Sequence, residues 1–326
     1  MRRVYDPLGE LCEKVLLNGG FVNAHAHLDR AYSVTEQSMN DVVYKQLQEK
    51  WQLVDGYKGS CSYDDYYNTL KYAIDKQISM GTTGCLSFVD LDEISGWRAI
   101  HAANNVKGLF NGDFVFKIAC QTLKGALSSN MKTKIASAAE ARLVDAIGSL
   151  PGADPGRESE HLDFVMSVAK RNDLPLHVHV DQLNNADEKE TELLARKTIE
   201  WGLEGRVVAV HGISISCHTK NYRHDVYRMC QDAGLYFVTC PVAWIDSRRT
   251  EVFSPTHNSV TPIDEMIEHG IKVAIGSDNI HDIYKPYATG DMKTELQFLL
   301  ETTHVYDQDV LVDIATTNGR EILNLS

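Results

Sequence analysis

Short runs of apolar and β-branched residues recur along the chain, separated by longer stretches in which apolar residues repeat every three or four positions. The short runs are bounded by Gly, Pro or Asn and are typical of strands, whereas the longer stretches are typical of amphipathic helices. The pattern predicts eight strands, at residues 20–27, 83–90, 114–122, 143–149, 174–181, 206–213, 235–241 and 271–278. It predicts helices at residues 64–80, 159–172, 187–203, 220–233 and 291–302.

Strands that alternate with helices favour a parallel sheet covered by helices. Eight such units in roughly 250 residues have the size of a (β/α)8 TIM barrel. A doubly wound open sheet would show the same alternation, but no glycine-rich phosphate-binding loop follows any predicted strand. We therefore expect an α/β fold with a single barrel domain over residues 1–326. The stretch 29–63 is long for a connection, and it either covers the barrel mouth or forms a helical excursion on the surface.

Composition narrows the classes of partner. The chain has 326 residues, 43% of them hydrophobic, which is enough for a sizeable core. Its 32 Lys and Arg against 45 Asp and Glu give a net charge of −13, which argues against nucleic acid or an anionic membrane as a partner. No apolar run is long enough to span a bilayer, and the first residues lack the apolar run of a signal peptide. Seven cysteines without C-x-x-C spacing indicate reduced thiols and predict a cytoplasmic location.

The first predicted strand carries two histidines, His25 and His27. Residues two apart in a strand share a face, so both imidazoles point the same way while Ala24 and Ala26 point the other way. Such a pair can supply two nitrogen ligands to one metal ion. An isolated H-x-H pair is also common as a surface or core feature, so the pair alone does not establish a metal site.

The fifth predicted strand repeats this spacing with His177, His179 and Asp181. These three residues share a face and approach the carboxyl end of the strand, where the active sites of barrels lie. His179 is the better candidate for a metal ligand. His177 is expected one layer deeper, as a core histidine hydrogen-bonded to a neighbour.

Single polar residues close two further strands, His211 on the sixth and Asp278 on the eighth. The spacing of 32 residues from His179 to His211 fits one βα unit, and that of 67 residues from His211 to Asp278 fits two. In a barrel these positions converge on one rim, so we expect a single cluster of His25, His27, His179, His211 and Asp278.

This constellation resembles the amidohydrolase superfamily of metal-dependent hydrolases, whose barrels carry H-x-H on strand one, His on strands five and six, and Asp on strand eight. Residues 23–30, Asn-Ala-His-Ala-His-Leu-Asp-Arg, look like the first-strand signature of the cytosine deaminase-like branch. Members with two metal ions bridge them with a carboxylated Lys near the end of strand four, and residues 143–150 contain no Lys. The resemblance therefore implies one divalent metal ion, zinc or iron, held by His25, His27, His179 and Asp278.

The resemblance also implies roles for the residues around the ion. Asp278 and His211 would be catalytic, because Asp278 can accept a proton from the activated water and His211 can orient that water or stabilise the tetrahedral intermediate. Gln121, at the end of the third strand, matches a glutamine with which that branch binds a pyrimidine-like ring. The predicted substrate-binding residues are Gln121, Asp181, Gln182, Trp244 and Asn279. Tyr284 and Tyr287 either join Trp244 in a ring-stacking wall or serve as packing residues.

One position departs from the cytosine deaminase-like pattern. That branch has Asp-Glu where this sequence has Asp181-Gln182, and the Glu carries a proton to the ring nitrogen. A neutral amide cannot relay a proton, so cytosine itself is not expected as the substrate. The departure favours an amide, a lactam or an N-substituted ring whose leaving group Asp278 can protonate, unless Asp181, Glu188 or Glu190 replaces the missing acid. The alternative is a barrel protein that binds a metal or a ligand and has lost turnover.

The ends of the chain depart as well. Only about twenty residues precede the first predicted strand, so the flanking β-sandwich of that branch is expected to be missing or vestigial. The apolar surface that a sandwich would cover then favours a homo-oligomer. The expected partner is a small-molecule substrate.

Overall fold

A computed structural model describes residues 5–45, 47–110, 112, 114–245 and 259–325, with the backbone alone at 47, 48, 244 and 245. Eight parallel strands form one sheet in which each strand pairs with the next along the chain. The strands are β1 Phe21–Ala26, β2 Thr82–Asp90, β3 Val115–Gln121, β4 Ala146–Ser149, β5 Leu176–Val180, β6 Val207–His211, β7 Tyr236–Thr239 and β8 Val273–Ile275. All eight strands predicted from the hydrophobic pattern are confirmed.

The first and last strands meet and nearly close the barrel. Ala26 and Asp278 form a parallel bridge, the Asp278 amide donates to the His25 carbonyl at 3.0 Å, and the His27 amide donates to the Asp278 carbonyl at 3.2 Å. Gly276 permits this approach, because an added Cβ would lie 2.7 Å from the His25 oxygen. The prediction of a (β/α)8 barrel is confirmed. Every strand in the described part of the chain belongs to this one sheet, which shows no flanking sandwich.

Helices separate the strands and pack around the sheet. They are α1 Pro7–Leu17, α2 Met39–Val42, α3 Leu47–Ser60, α4 Tyr63–Ser79, α5 Arg98–Lys107, α6 Ser129–Glu140, α7 Glu158–Asn172, α8 Glu190–Trp201, α9 Lys220–Asp232, α10 Ile263–Glu268, α11 Met292–Thr303, α12 Gln308–Ala315 and α13 Thr317–Ile322. The five predicted helices correspond to α4, α7, α8, α9 and α11. No helix in the described residues is both long enough and apolar enough to cross a membrane.

Alternation along the strands divides the core into two layers. Side chains such as Val178 and Phe237 belong to the cluster that includes the helices, whereas Phe88 and Val238 belong to a second cluster inside the barrel. Ile322, at the end of α13, also joins the inner cluster. All seven cysteines are free, and five of them are buried.

The long connection after β1 contains α2 and α3. In α3, Val54 is buried and Lys58 is fully buried, so this helix does not lie as an excursion on the surface. The Lys58 ammonium contacts Asp92 and lies 3.7 Å from Asp90 Oδ2, beyond the end of β2. The described residues of the stretch 29–63 therefore cover the carboxyl-terminal mouth of the barrel, the first of the two alternatives.

Candidate active site

The carboxyl ends of four strands bring four histidines and one aspartate together. The ring centre of His25 lies 4.9 Å from that of His27, 4.8 Å from that of His179 and 5.6 Å from that of His211. Asp278 Oδ1 lies 3.1 Å from His27 Nε2 and 3.4 Å from His25 Nε2. The ligand atoms form two overlapping triads, His25 with His179 and His211, and His25 with His27 and Asp278, each within 4.8 Å.

The backbone turns at the ends of the strands to aim two of these side chains. His211 and Asp278 have backbone φ values of +78° and +57°, in a region that residues other than glycine rarely adopt. The turn that carries Asp278 is tied to β1 by Asn23, whose side chain accepts from the Ser277 amide at 3.0 Å and donates to the Ser277 hydroxyl at 2.8 Å. Unusual backbone of this kind persists where surrounding contacts enforce it and is frequent at active sites.

A phenylalanine ring forms the floor of the cluster. The centre of the fully buried Phe88 ring lies 4.7 Å from those of His25 and His179. Gly148 makes room for it, because an added Cβ would lie 2.6 Å from Phe88 Cε1. The His177 ring, which is buried as expected, lies 6.5 Å from that of Phe88. The expected hydrogen bond of His177 is absent, since neither ring nitrogen has a partner among the described residues.

Burial and neighbouring groups favour the deprotonated forms of the side chains in this cluster. Burial lowers the pKa of His211 to about 4, and it lowers the pKa values of His27 and His179 well below the usual range. Burial alone would raise the pKa of Asp278, but His25 and His27 beside it hold that pKa well below its ordinary value. At neutral pH these three histidines therefore offer lone pairs and Asp278 offers a negative charge.

The donor set fits a divalent cation. Both ring nitrogens of His25 and Nδ1 of His27 lack hydrogen-bond partners among the described residues, and unpaired buried nitrogens facing a carboxylate suit a metal ion. His179 Nδ1 bonds the Ser149 carbonyl at 3.2 Å, which leaves Nε2 for the ion, as in many metal sites. Ser149 ends β4, where no Lys is present to bridge two ions.

A cavity opens above the cluster beneath α3. Its walls are formed by His27, Arg30, Trp51, Gln121, Leu123, Leu150, His179, Gln182, His211, Ile213, Ala243, Asp278, Asn279 and Tyr284. Arg30 Nη1 lies 3.2 Å from both Asp90 carboxylate oxygens and donates to Gln121 Oε1 at 3.3 Å. Arg30 ends the first-strand signature but was not predicted to line the site, and Trp51 was not predicted to do so either.

The predicted substrate-binding residues fall into three groups. Gln121, Gln182 and Asn279 line the cavity, and Asn279 Nδ2 donates to Asp282 Oδ2 at 2.6 Å. Tyr284 also lines it, with its ring centre 5.3 Å from Arg30 Cζ, whereas Tyr287 is 78% exposed and does not. The side chain of Trp244 lies outside the described part of the structure.

Asp181 is not brought to the cavity. β5 ends at Val180, and Asp181 takes φ +51°, so it no longer follows the face of His177 and His179. Its carboxylate instead accepts from the amides of Glu190 at 2.7 Å and Thr191 at 3.2 Å, at the start of α8.

The two glutamates that could replace the missing acid also point elsewhere. Glu188 accepts from the Ser214 hydroxyl at 2.5 Å and the Leu183 amide at 2.7 Å, and Glu190 accepts from the Asp181 amide at 3.2 Å. Burial, followed by the charge of Asp181, raises the pKa of Glu190 to about 8, and burial raises that of Glu188 to about 7. Neither glutamate lines the cavity, so neither stands where the missing Glu would act.

Comparison with known proteins places this chain in a family. Residues 18–326 match the amidohydrolase family. An uncharacterized protein of Haemophilus influenzae is 45% identical over 258 residues, which are 78% of this chain and 93% of that protein. N-isopropylammelide isopropyl amidohydrolase of a Pseudomonas species is 23% identical over 322 residues, 95% of this chain and 75% of the relative.

Solved structures agree on the fold. The crystal structure of 5-methylcytosine deaminase from Klebsiella pneumoniae, liganded with 5-fluorocytosine, superimposes with a TM-score of 0.86 at 23% identity, over 94% of this chain and 75% of that one. A more distant neighbour, atrazine chlorohydrolase TrzN from Arthrobacter aurescens, was solved in complex with zinc and gives a TM-score of 0.64. The chain therefore belongs to the amidohydrolase family and is a hydrolase that acts on carbon-nitrogen bonds.

Proposed function

We propose that this hydrolase uses one divalent metal ion, zinc or iron, to cleave a carbon-nitrogen bond of a small, cyclic nitrogenous compound. His25, His27, His179 and Asp278 would hold the ion, because they belong to two overlapping triads that share His25, and ring nitrogens of His25 and His27 lack other partners. Such an ion, when bound, would lower the pKa of water to about 7 and polarise the carbonyl group under attack. The names of the relatives, which include a 5-methylcytosine deaminase and an isopropylammelide amidohydrolase, support a ring compound as the substrate.

Two side chains are placed to handle the protons and the developing charge. Asp278 is ionised, so it can take a proton from the attacking water and return it to the leaving nitrogen. His211 is uncharged and lies beside the same cluster, so its N–H can donate to the oxyanion of a tetrahedral intermediate. With Asp278 and His211 in these roles, no further acidic side chain is needed for the reaction.

The proposed choice of substrate rests on the lack of a second carboxylate among the described residues that line the cavity. Asp278 is the one carboxylate among the described residues that line the cavity, and Gln182 stands where the cytosine deaminase-like pattern has Glu. Without a group to protonate a ring nitrogen, hydrolysis is favoured where the departing nitrogen is itself protonated by Asp278. This selects an amide, a lactam or an N-substituted ring.

The cavity walls suit a flat ring with alternating donors and acceptors. The amide groups of Gln121, Gln182 and Asn279 can each donate and accept, so they can bind ring N–H and carbonyl groups. Arg30 can donate to a carbonyl oxygen, and Trp51 and Tyr284 supply aromatic surface for stacking.

The test is turnover by the metal-loaded protein across cyclic amides, hydantoin-like rings, N-alkylamino-substituted rings and cytosine, measured as release of ammonia or amine. We expect turnover of at least one of the first three classes and little or none of cytosine. Metal analysis should give about one ion per chain, and His179→Ala should lose both the ion and the activity. His101→Ala, at an exposed position on α5, is the matched control and should keep both. Full metal content and activity in His179→Ala would contradict the ligand assignment.

Gln182 supplies a second, independent test. Gln182→Glu should introduce or raise deaminase activity toward cytosine-like rings, whereas Gln182→Leu, which removes the amide without adding an acid, should not. No change in Gln182→Glu would show that this position does not decide the substrate. A protein that binds the ion but turns over no compound would support the alternative, a barrel that has lost turnover.

The remaining sequence-based expectations concern the setting of the reaction. A small-molecule substrate follows from the proposed chemistry. The cytoplasmic location, the homo-oligomer, the absence of nucleic-acid binding and a single domain over residues 1–326 stay predictions.

A further inference from the structure

The side-chain amide of Gln121 is held in one orientation by Arg30. A guanidinium group carries only donors, so the amide atom that faces it must be the oxygen. Arg30 Nη1 donates to Gln121 Oε1 at 3.3 Å, and the same nitrogen lies 3.2 Å from both carboxylate oxygens of Asp90. Gln121 Nε2 is neither bonded to a described residue nor sealed off from solvent. Because Gln121 lines the cavity, it offers the ligand a donor.

The side-chain amide of Asn279 is held in the opposite orientation by Asp282. Burial raises the pKa of Asp282 to about 6, so its carboxylate is ionised at neutral pH and can only accept. Asn279 Nδ2 donates to Asp282 Oδ2 at 2.6 Å, while Asp282 Oδ1 accepts from the amides of Tyr284 and Lys285 at 2.9 Å each. Asn279 Oδ1 bonds no described residue and is not sealed off, so Asn279 offers the cavity an acceptor.

One buried network joins the two orienting groups. Arg30 Nε lies 3.6 Å from Asp282 Oδ2, the oxygen that also accepts from Asn279. Arg30 is 3% exposed and Asp282 is fully buried, so water does not compete for these contacts. The third amide of the cavity, that of Gln182, bonds no other described residue and can turn either end to a ligand.

We propose that Arg30 and Asp282 determine substrate specificity by fixing a donor at Gln121 and an acceptor at Asn279. The ring that fits presents a carbonyl oxygen to Gln121 and an N–H to Asn279, so the substrate is a ring of the lactam class with an unsubstituted N–H. This inference rests on the proposed function, because it takes the cavity above the histidine cluster as the substrate site. Asp282 does not line that cavity and acts as a positioning residue.

The test compares two six-membered rings that differ in their N–H groups. Cyclo-glycylglycine contains two lactam groups, and cyclohexane-1,4-dione keeps both carbonyls but has CH2 in place of each N–H. Ligand-observed NMR titration of the zinc-loaded protein gives the ratio of their dissociation constants. The wild type should bind cyclo-glycylglycine about threefold to tenfold more tightly, the effect of roughly one hydrogen bond.

Asp282→Asn should abolish this preference without removing the side chain. Its Oδ1 can still accept from the two backbone amides, which directs its Nδ2 at Asn279. Asn279 must then turn its oxygen toward that nitrogen and present a donor to the cavity, so the ratio of dissociation constants should fall to about one. Asp64→Asn, at an exposed position on α4, is the matched control and should keep the wild-type ratio.

Gln121→Glu tests the other end of the cavity. Arg30 would hold one carboxylate oxygen, and the second oxygen would face the ring carbonyl as an acceptor. Both rings should therefore bind about tenfold more weakly or worse, because a donor is replaced by a repelling charge.

Four results would overturn the proposal: no saturable binding of either ring by the wild type, no wild-type preference for cyclo-glycylglycine, a wild-type ratio in Asp282→Asn, or wild-type affinity in Gln121→Glu. The wild-type ratio and Gln121→Glu decide the question even if Asp282→Asn does not fold. These readouts are binding constants, whereas the proposed function is tested by metal content and turnover, so the failure of one is distinguishable from the failure of the other.

Discussion

Replacing Gly276 with alanine should disturb the metal site although the residue carries no ligand. An added Cβ would lie 2.7 Å from the carbonyl oxygen, 2.8 Å from the Cβ and 2.9 Å from the nitrogen of His25. Cβ atoms essentially never come within 3.0 Å of such neighbours, and two of these three are backbone atoms that cannot rotate away. The strand carrying Asp278 must therefore move away from the strand carrying His25.

The size of the effect follows from what joins the two strands. The contacts at risk are the hydrogen bonds of 3.0 and 3.2 Å between Asp278 and the backbone of His25 and His27. Overpacking of this kind typically costs about 1–3 kcal/mol of stability. Displaced supporting contacts around a metal typically lower its affinity about 10- to 100-fold.

The assay combines chemical denaturation with titration of metal into the metal-free protein. Gly276→Ala should unfold at lower denaturant concentration and bind the ion more weakly, with activity lost in proportion. Gly56→Ala is the matched control, because it lies within α3 with no atom within 4 Å of the added Cβ, and it should be neutral or stabilising by about 0.5–1 kcal/mol. Wild-type stability and metal affinity in Gly276→Ala would refute the reasoning that this glycine allows the barrel to close around the site.

Three further predictions concern charge and metal. Burial raises the pKa of Glu190 to about 8 from an ordinary 4.5. The contribution of protonated Glu190 to the free energy of unfolding is therefore complete below pH 4.5 and is lost as the pH rises through 8. The free energy of unfolding of Glu190→Gln in urea should therefore match that of the wild type at pH 5 and exceed it by at least about 1 kcal/mol at pH 9, since one pKa unit equals about 1.4 kcal/mol. Parallel pH profiles of the two proteins would contradict this. Lys58→Met should lose about 3–5 kcal/mol in the same assay, because it leaves buried Asp92 without its cation, whereas Asp90 keeps Arg30. Lys71→Met at an exposed pair should lose under about 0.5 kcal/mol, and equal losses would refute the burial argument. Removing the metal with a chelator should lower the melting temperature, because a ligand at 100 times its Kd adds about 2.7 kcal/mol, and an unchanged melting temperature would show that the ion does not stabilise the fold.

The barrel could be predicted because its signal is local. Each strand is a short apolar run closed by Gly, Pro, Asn or a polar residue, and the packing of Val178 and Phe237 against the helices follows from strand alternation. The convergence of His179, His211 and Asp278 could also be predicted, because parallel strands of a barrel all end at the same rim.

What could not be predicted depends on contacts between distant residues. Trp51 reaches the cavity from α3, and the sequence does not specify how that helix folds over the mouth. Arg30 is placed by Asp90, sixty positions away, and no local pattern shows that pairing. Asp181 was expected to continue the face of β5, but the strand stops one residue earlier and the competing amides at the start of α8 take its carboxylate.

The Phe88 ring has a kinetic consequence. Because it is fully buried and packs against both His25 and His179, it fills the interior of the barrel beneath the histidine cluster. Substrate would then enter the proposed active site, and both products would leave it, by the mouth beneath α3. Accumulated product would then occupy the route that fresh substrate needs, and inhibition by product should be competitive.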